Sequence, residues 1–154
     1  MEFFLNGDTI LFGKLFLALI LGMTLGFERT IAGKMAGMRT YALVSMGSCL
    51  LIIVSQSVTA SYIESVNFDP LRLAAGIITG IGFICGGLII FSDNRLTGLT
   101  TAAGMWVATA IGIAVGYDLF ILAIFATILT LITFTFLWKI EESVRKFSGE
   151  NARD

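Results

Sequence analysis

The 154-residue chain is 56% hydrophobic and 14% charged, has a net charge of −1, and contains one proline and no histidine. A soluble domain carries about 25% charged and about 45–50% apolar residues, so this excess argues against a soluble enzyme or a nucleic-acid binder. Without histidine there is no Ser-His-Asp or Cys-His arrangement, no His-ligated zinc and no imidazole base. The remaining class is a small all-α, polytopic membrane protein in contact with the lipid bilayer.

Crossing the hydrocarbon core takes about 20 helical residues, or as few as about 17. Five stretches qualify: Ile10–Phe27, Tyr41–Ala60, Leu73–Phe91, Thr100–Gly116 and Leu119–Trp138. The first follows an acidic N-terminus with Glu2 and Asp8, and no small-x-small cleavage site comes after it. It is therefore expected to stay as a span, not to be removed as a leader. Lys14, one turn in, is expected to snorkel outward. Ala18, Gly22 and Gly26 form a small-residue stripe, the kind of surface through which membrane helices approach each other.

Glu28-Arg29 ends this span, and Arg39-Thr40 begins the second across a loop containing Gly33, Lys34 and Gly37. Glu28 and Arg39 are expected to form an interfacial ion pair. Such residues serve as topology anchors or, beside a glycine-lined bundle, gate or bind an ion. Cys49 and Cys85 fall within apolar runs and read as small core residues.

Asn67-Phe68-Asp69-Pro70 precedes the third span. Asp69 is the expected N-cap, Pro70 the first helical residue and Arg72 an i,i+3 partner for Asp69. Gly76, Gly80, Gly82 and Gly86 crowd this span, and Ser92-Asp93-Asn94-Arg95 ends it. Thr100 and Thr101 are candidate caps for the fourth span. Free backbone N–H groups there also suit an anion, which adds Asp93, Asn94, Thr100 and Thr101 to the functional candidates.

The fourth span repeats a small residue every fourth position, at Gly104, Ala108, Gly112 and Gly116. With the first and third it is expected to form a tight centre. Two readings stay open for these glycines: compact packing or homo-oligomerisation, and room for a pore or substrate cavity. Trp106 is expected to pack inside. A turn at Gly116-Tyr117-Asp118 separates the fifth span, which has no glycine and is expected to face lipid or another membrane protein. Trp138 is its border anchor. The membrane domain thus covers residues 1–142, and 143–154 form a short cytoplasmic tail.

Eight of the ten basic residues (Arg29, Lys34, Arg39, Arg95, Lys139, Arg145, Lys146 and Arg153) follow spans one, three and five. The positive-inside rule then puts the N-terminus outside and the C-terminus in the cytoplasm. No acidic residue lies in the middle of a span. A mid-membrane Mg²⁺ cage of carboxylates is therefore not expected, nor is any other metal or cofactor site, and no nucleophile–base pair suggests an enzyme.

Three ordered motifs carry a family resemblance. Leu21-Gly22-x-x-Leu25-Gly26-x-Glu28-Arg29 with Ala36-Gly37-Met38-Arg39-Thr40 resembles the opening signature of the MgtC/SapB (YhiD) family of bacterial membrane proteins. Asp69-Pro70-x-Arg72-x-Ala74-Ala75 with Gly80-Ile81-Gly82-Phe83-Ile84 is similar to its third-span motif. Gly98-Leu99-Thr100-Thr101-Ala102-Ala103-x-x-Trp106 with Ala110-Ile111-Gly112 and Gly116 resembles the fourth. The resemblance implies a five-span protein of the bacterial inner membrane with its N-terminus outside. It also implies a link to magnesium homeostasis or envelope stress, through regulation of other membrane proteins or, alternatively, through transport of an ion or small solute by an oligomer. Ile84-Cys85-Gly86-Gly87 departs from the family's Leu-Gly-Ala-Gly. The soluble C-terminal domain of longer members is not expected in the residues after span five, so its functions are not carried over.

Overall fold

The structure is a computed structural model that describes residues 2–62, 69, 71–92 and 95–147. Its elements are α1 (Glu2–Ile31), α2 (Met38–Tyr62), α3 (Leu71–Leu88), strands β1 (Ile90–Ser92) and β2 (Arg95–Thr97), α4 (Leu99–Gly116), α5 (Phe120–Ile132), a π-helical turn at Thr133–Leu137, and α6 (Trp138–Phe147). Five helical segments are long and apolar enough to cross a membrane: Asp8–Ile31, Met38–Ala60, Leu71–Leu88, Leu99–Gly116 and Phe120–Val144. The chain is thus an all-α polytopic membrane protein, as its hydropathy indicates.

The third span is shorter than expected. It stops at Leu88, and Ile90, Phe91 and Ser92 pair antiparallel with Thr97, Leu96 and Arg95. Two glycines, Gly86 and Gly87, weaken the end of the helix, while the β-branched and aromatic residues that follow suit a pleated strand. Gly98 then turns β2 into α4 with φ +86°. A side chain there would also run into the Leu88 carbonyl, so both conformation and space require glycine. Because Gly98 is the N-cap of α4 and no side chain caps that helix, the capping expected of Thr100 and Thr101 is not made.

The turn between α4 and α5 also differs in detail. Asp118, not a glycine, adopts the left-handed conformation, with φ 64°. The Tyr117, Asp118 and Leu119 N–H groups donate to Ile113, Val115 and Ala114 carbonyls at 3.1, 3.1 and 2.9 Å. Gly116 ends α4 for a packing reason instead. A Cβ on it would sit 2.7 Å from Ile52 Cβ.

α2 fills the centre. Tyr41, Ser45, Cys49 and Ile52 recur every three or four residues, so they lie along one face, and all four are fully buried. α1 reaches this ridge through Gly22, where a Cβ would lie 2.5 Å from the Tyr41 carbonyl oxygen, and through Gly26, 2.6 Å from Met38 Cα. α4 reaches it through Gly112, whose Cβ would collide with the Ser45 carbonyl, and through Gly116. Ala108, between these glycines, is fully buried. At this spacing backbone packs on backbone, which gives membrane helices most of their cohesion.

The expectation that α3 belongs to this centre is corrected. A Cβ at Gly76, Gly80, Gly82 or Gly86 would meet no atom within 4 Å, and Phe83 is 88% exposed. α3 touches the bundle through the buried Ala74 and Ile81 and through Cys85, whose thiol donates to the Ala102 carbonyl at 3.3 Å. Trp106 is a second correction: it is 48% exposed. At about 100° per residue it lies about 200° around α4 from Gly104, opposite the stripe that packs on α2.

Candidate functional site

The charged groups of the described residues collect toward the two ends of the bundle. At one end lies the Lys14–Asp118 pair, at 2.7 Å. Lys14 is 7% exposed and Asp118 55%, so the lysine does not snorkel outward as expected. It folds inward to the αL turn, because a buried ammonium without a partner is costly. Nearby, burial pushes the Tyr117 phenol above its ordinary value of 10, and the Asp69 carboxylate adds to the shift. Asp69 is exposed and its Oδ1 accepts the Leu71 N–H at 2.9 Å. Among the described residues no ion pair joins it to Arg72, which is exposed.

At the other end the last turn of α1 places Glu28 and Arg29 side by side. Arg29 Nε donates to Glu28 Oε2. Arg39 is exposed and makes no ion pair with Glu28, so the expected partner is replaced by the sequence neighbour. Arg29 itself is 4% exposed, and its guanidinium carbon lies 3.7 Å from the centre of the Phe134 ring. Such cation–π contacts contribute about 0.5–1 kcal/mol at exposed sites and about 2 when desolvated.

Phe134 reaches Arg29 from the π-helical turn, where it is the buried residue. A π turn inserts one residue into the helical register and re-aims its side chains. Gly104 of α4 makes the space: a Cβ there would lie 2.5 Å from Phe134 Cζ and 2.6 Å from Tyr41 Oη. Tyr41 Oη in turn donates to the Thr101 carbonyl at 3.0 Å, tying α2 to α4. Thr101 is buried, Thr100 exposed and Thr40 half-buried. The α1–α2 loop is held by Thr30, whose hydroxyl donates to the Gly26 carbonyl at 2.9 Å and accepts the Met38 N–H at 3.1 Å.

Beside Arg29 and Phe134 lies a cleft of about 1560 Å³. It runs between the end of α1, the start of α4 and the α5–α6 segment. Apolar Met23, Phe27, Leu131 and Leu137 line it together with the charged Lys34, Lys139, Glu141 and Glu142. Of the sequence candidates, Glu28, Arg29, Thr100 and Thr101 meet here, while Asp69 and Arg72 belong to other parts of the molecule. Asp93 and Asn94 lie outside the described residues. Among the described residues no group of three or more His, Cys, Asp or Glu side chains is placed to hold a metal ion.

Sequence reasoning missed Phe134, Tyr41 and the Lys14–Asp118 pair. Lys14 and Asp118 are each an isolated charge beside apolar sequence, a detectable signal. Phe134 is one of 13 phenylalanines and carried none.

Comparison with known proteins gives a consistent set of relatives. The model of the MgtC family matches residues 15–143. The Escherichia coli K12 protein named "Putative magnesium transporter YhiD" is 42% identical over 121 residues, covering 77% of this chain and 56% of that protein. Protein SapB of Bacillus subtilis is 35% identical over 148 residues, 92% of this chain and 62% of SapB. Protein MgtC of Brucella abortus strain 2308 is 36% identical over 111 residues, 72% of this chain and 44% of that protein. The chain therefore spans about half the length of these relatives. No solved structure matches it.

Proposed function

The chain belongs to the MgtC family, and from that premise we propose that it is a non-enzymatic regulator or accessory of other membrane proteins. Its setting is magnesium homeostasis or envelope stress, in the bacterial inner membrane with the N-terminus outside. The magnesium link rests on the name of its E. coli relative. One observation favours regulation over conduction. The glycines of α1 and α4 are filled by the α2 backbone at Tyr41 and Ser45, so the small-residue centre of a single chain is packed rather than open. Glu28, the carboxylate best placed to meet an ion at the rim, is engaged with Arg29.

A second reading is transport by a homo-oligomer. The outward glycines of α3 support it, since a path between copies does not need an open centre within one. Purified protein in liposomes separates the two. Regulation predicts no uptake of Mg²⁺ or other ions, together with recovery of a fixed membrane partner after crosslinking in cells. Uptake that is lost in Glu28→Gln would overturn it in favour of transport.

A further inference from the structure

The last membrane-spanning helix is interrupted by the π-helical turn at Thr133–Leu137, and its two sides are held differently. On the bundle side Phe134 is buried, fixed between the Arg29 guanidinium and the hollow over Gly104. Beyond it each of residues 135–144 is exposed, and α6 packs chiefly against the turn itself. A π turn is a recurrent place for a helix to change direction. In a membrane the difficulty lies in the backbone groups that such a change frees. Here Thr133 Oγ1 donates to the Leu129 carbonyl and Thr135 Oγ1 to the Leu131 carbonyl, both at 2.8 Å. Those two carbonyls therefore keep a partner when the backbone bonds of the turn change.

The cleft of about 1560 Å³ separates α6 from the end of α1 and the loop that follows it. Its lining is balanced in charge, and the charges are divided by element. Glu28, Arg29 and Lys34 come from α1 and its loop, and Lys139, Glu141 and Glu142 from α6. Glu28 and Arg29 satisfy each other. Lys34 and Glu141 are exposed and make no ion pair among the described residues. They are opposite charges on different walls of one open cleft. The back of α6 has another character. Ile140 and Val144 each lie two residues, about 200° of helix, from a lining residue, Trp138 and Glu142. Such an apolar back suits the membrane border.

We propose that α6 is a lid over this cleft, hinged at Thr133–Leu137 with Phe134 as its fixed pivot, and that it closes by bringing the Glu141 carboxylate to the Lys34 ammonium. The structure holds the open position. An ion pair between exposed side chains shifts an equilibrium by about fivefold at most, so the lid exchanges between positions and does not lock. The device is independent of whether the protein regulates or transports.

Pulsed electron spin resonance tests it on the full chain in lipid nanodiscs. Nitroxide labels at Leu43→Cys and Val144→Cys, in a Cys49→Ala, Cys85→Ser background, sit on exposed residues outside the cleft lining. Excess unlabelled protein dilutes the sample, so only distances within one chain are read. The expected distribution has two distances, the shorter from the closed lid. Lys34→Gln changes an exposed residue, leaves the fold intact and should lower the closed-to-open ratio by about two- to fivefold. Salt at about 1 M, where charges are screened beyond about 3 Å, should do the same. Exchanging the charges, Lys34→Glu with Glu141→Lys, should restore the ratio. A single distance in the parent chain would overturn the lid. Two distances whose ratio ignores Lys34, Glu141 and salt would remove the closing contact and overturn the proposal as well.

Discussion

The third and fourth spans are close to interchangeable as sequence. Both are 18-residue helices of similar hydropathy, and both carry glycines at four-residue spacing, Gly76 and Gly80 in α3 against Gly112 and Gly116 in α4. In the folded chain they have opposite fates. The α4 glycines press onto the backbone of α2, and the α3 glycines meet nothing. A small-residue stripe states that a helix can be approached closely. It does not state by what, because the partner is chosen by the shape of the opposing face and by the loops that bring it there.

The largest test of this contrast is a pair of leucine substitutions. Gly112→Leu forces a side chain into the Ser45 carbonyl, and overpacking of this kind costs typically about 1–3 kcal/mol, occasionally more. Here backbone must move, so loss of the monodisperse species in detergent size-exclusion chromatography is expected. Gly80→Leu enters open space within the chain and should leave the purified protein monodisperse. If both variants are lost alike, the assignment of α2 rather than α3 to the centre is wrong.

Phe134→Leu keeps an apolar side chain against Gly104 and removes the ring under the buried Arg29. About 1–2 kcal/mol should be lost, and the cation–π part of that loss should vanish in an Arg29→Met background. The next effect concerns the end opposite Arg29. Lys14→Met removes the partner of Asp118. Breaking a fully buried pair costs about 3–5 kcal/mol, but Asp118 is half exposed and water replaces the lysine. A loss of about 1 kcal/mol, the scale of one hydrogen bond, is expected in thermal unfolding followed by fluorescence. A stability equal to the parent would show that the pair does not hold α1 to the α4–α5 turn. Ile124→Leu, on the exposed side of α5, sets the floor, with a change within about 0.5 kcal/mol.

Much of the candidate site was legible before the fold was known, though not its wiring. Glu28-Arg29 stood out because charge at the end of an apolar run needs a reason. The expected partner, Arg39, is across a loop, but the structure pairs Glu28 with its own neighbour and turns Arg39 outward. Trp106, about two turns into the fourth span, is expected inside from its position along the helix. The interior stripe of α4 is made of small residues instead, so the large one is displaced to the far side of the helix.

The chain's hydropathy alone determined that there are five spans and their order, since the cost of exposing backbone and charge to hydrocarbon is local and adds along the sequence. It also located the charges at the ends. Tertiary structure alone decided that α2 is the centre, that Lys14 folds back to Asp118 and that Phe134 lies under Arg29. Each of these joins residues dozens of positions apart, and no local preference of the chain encodes which helix face meets which.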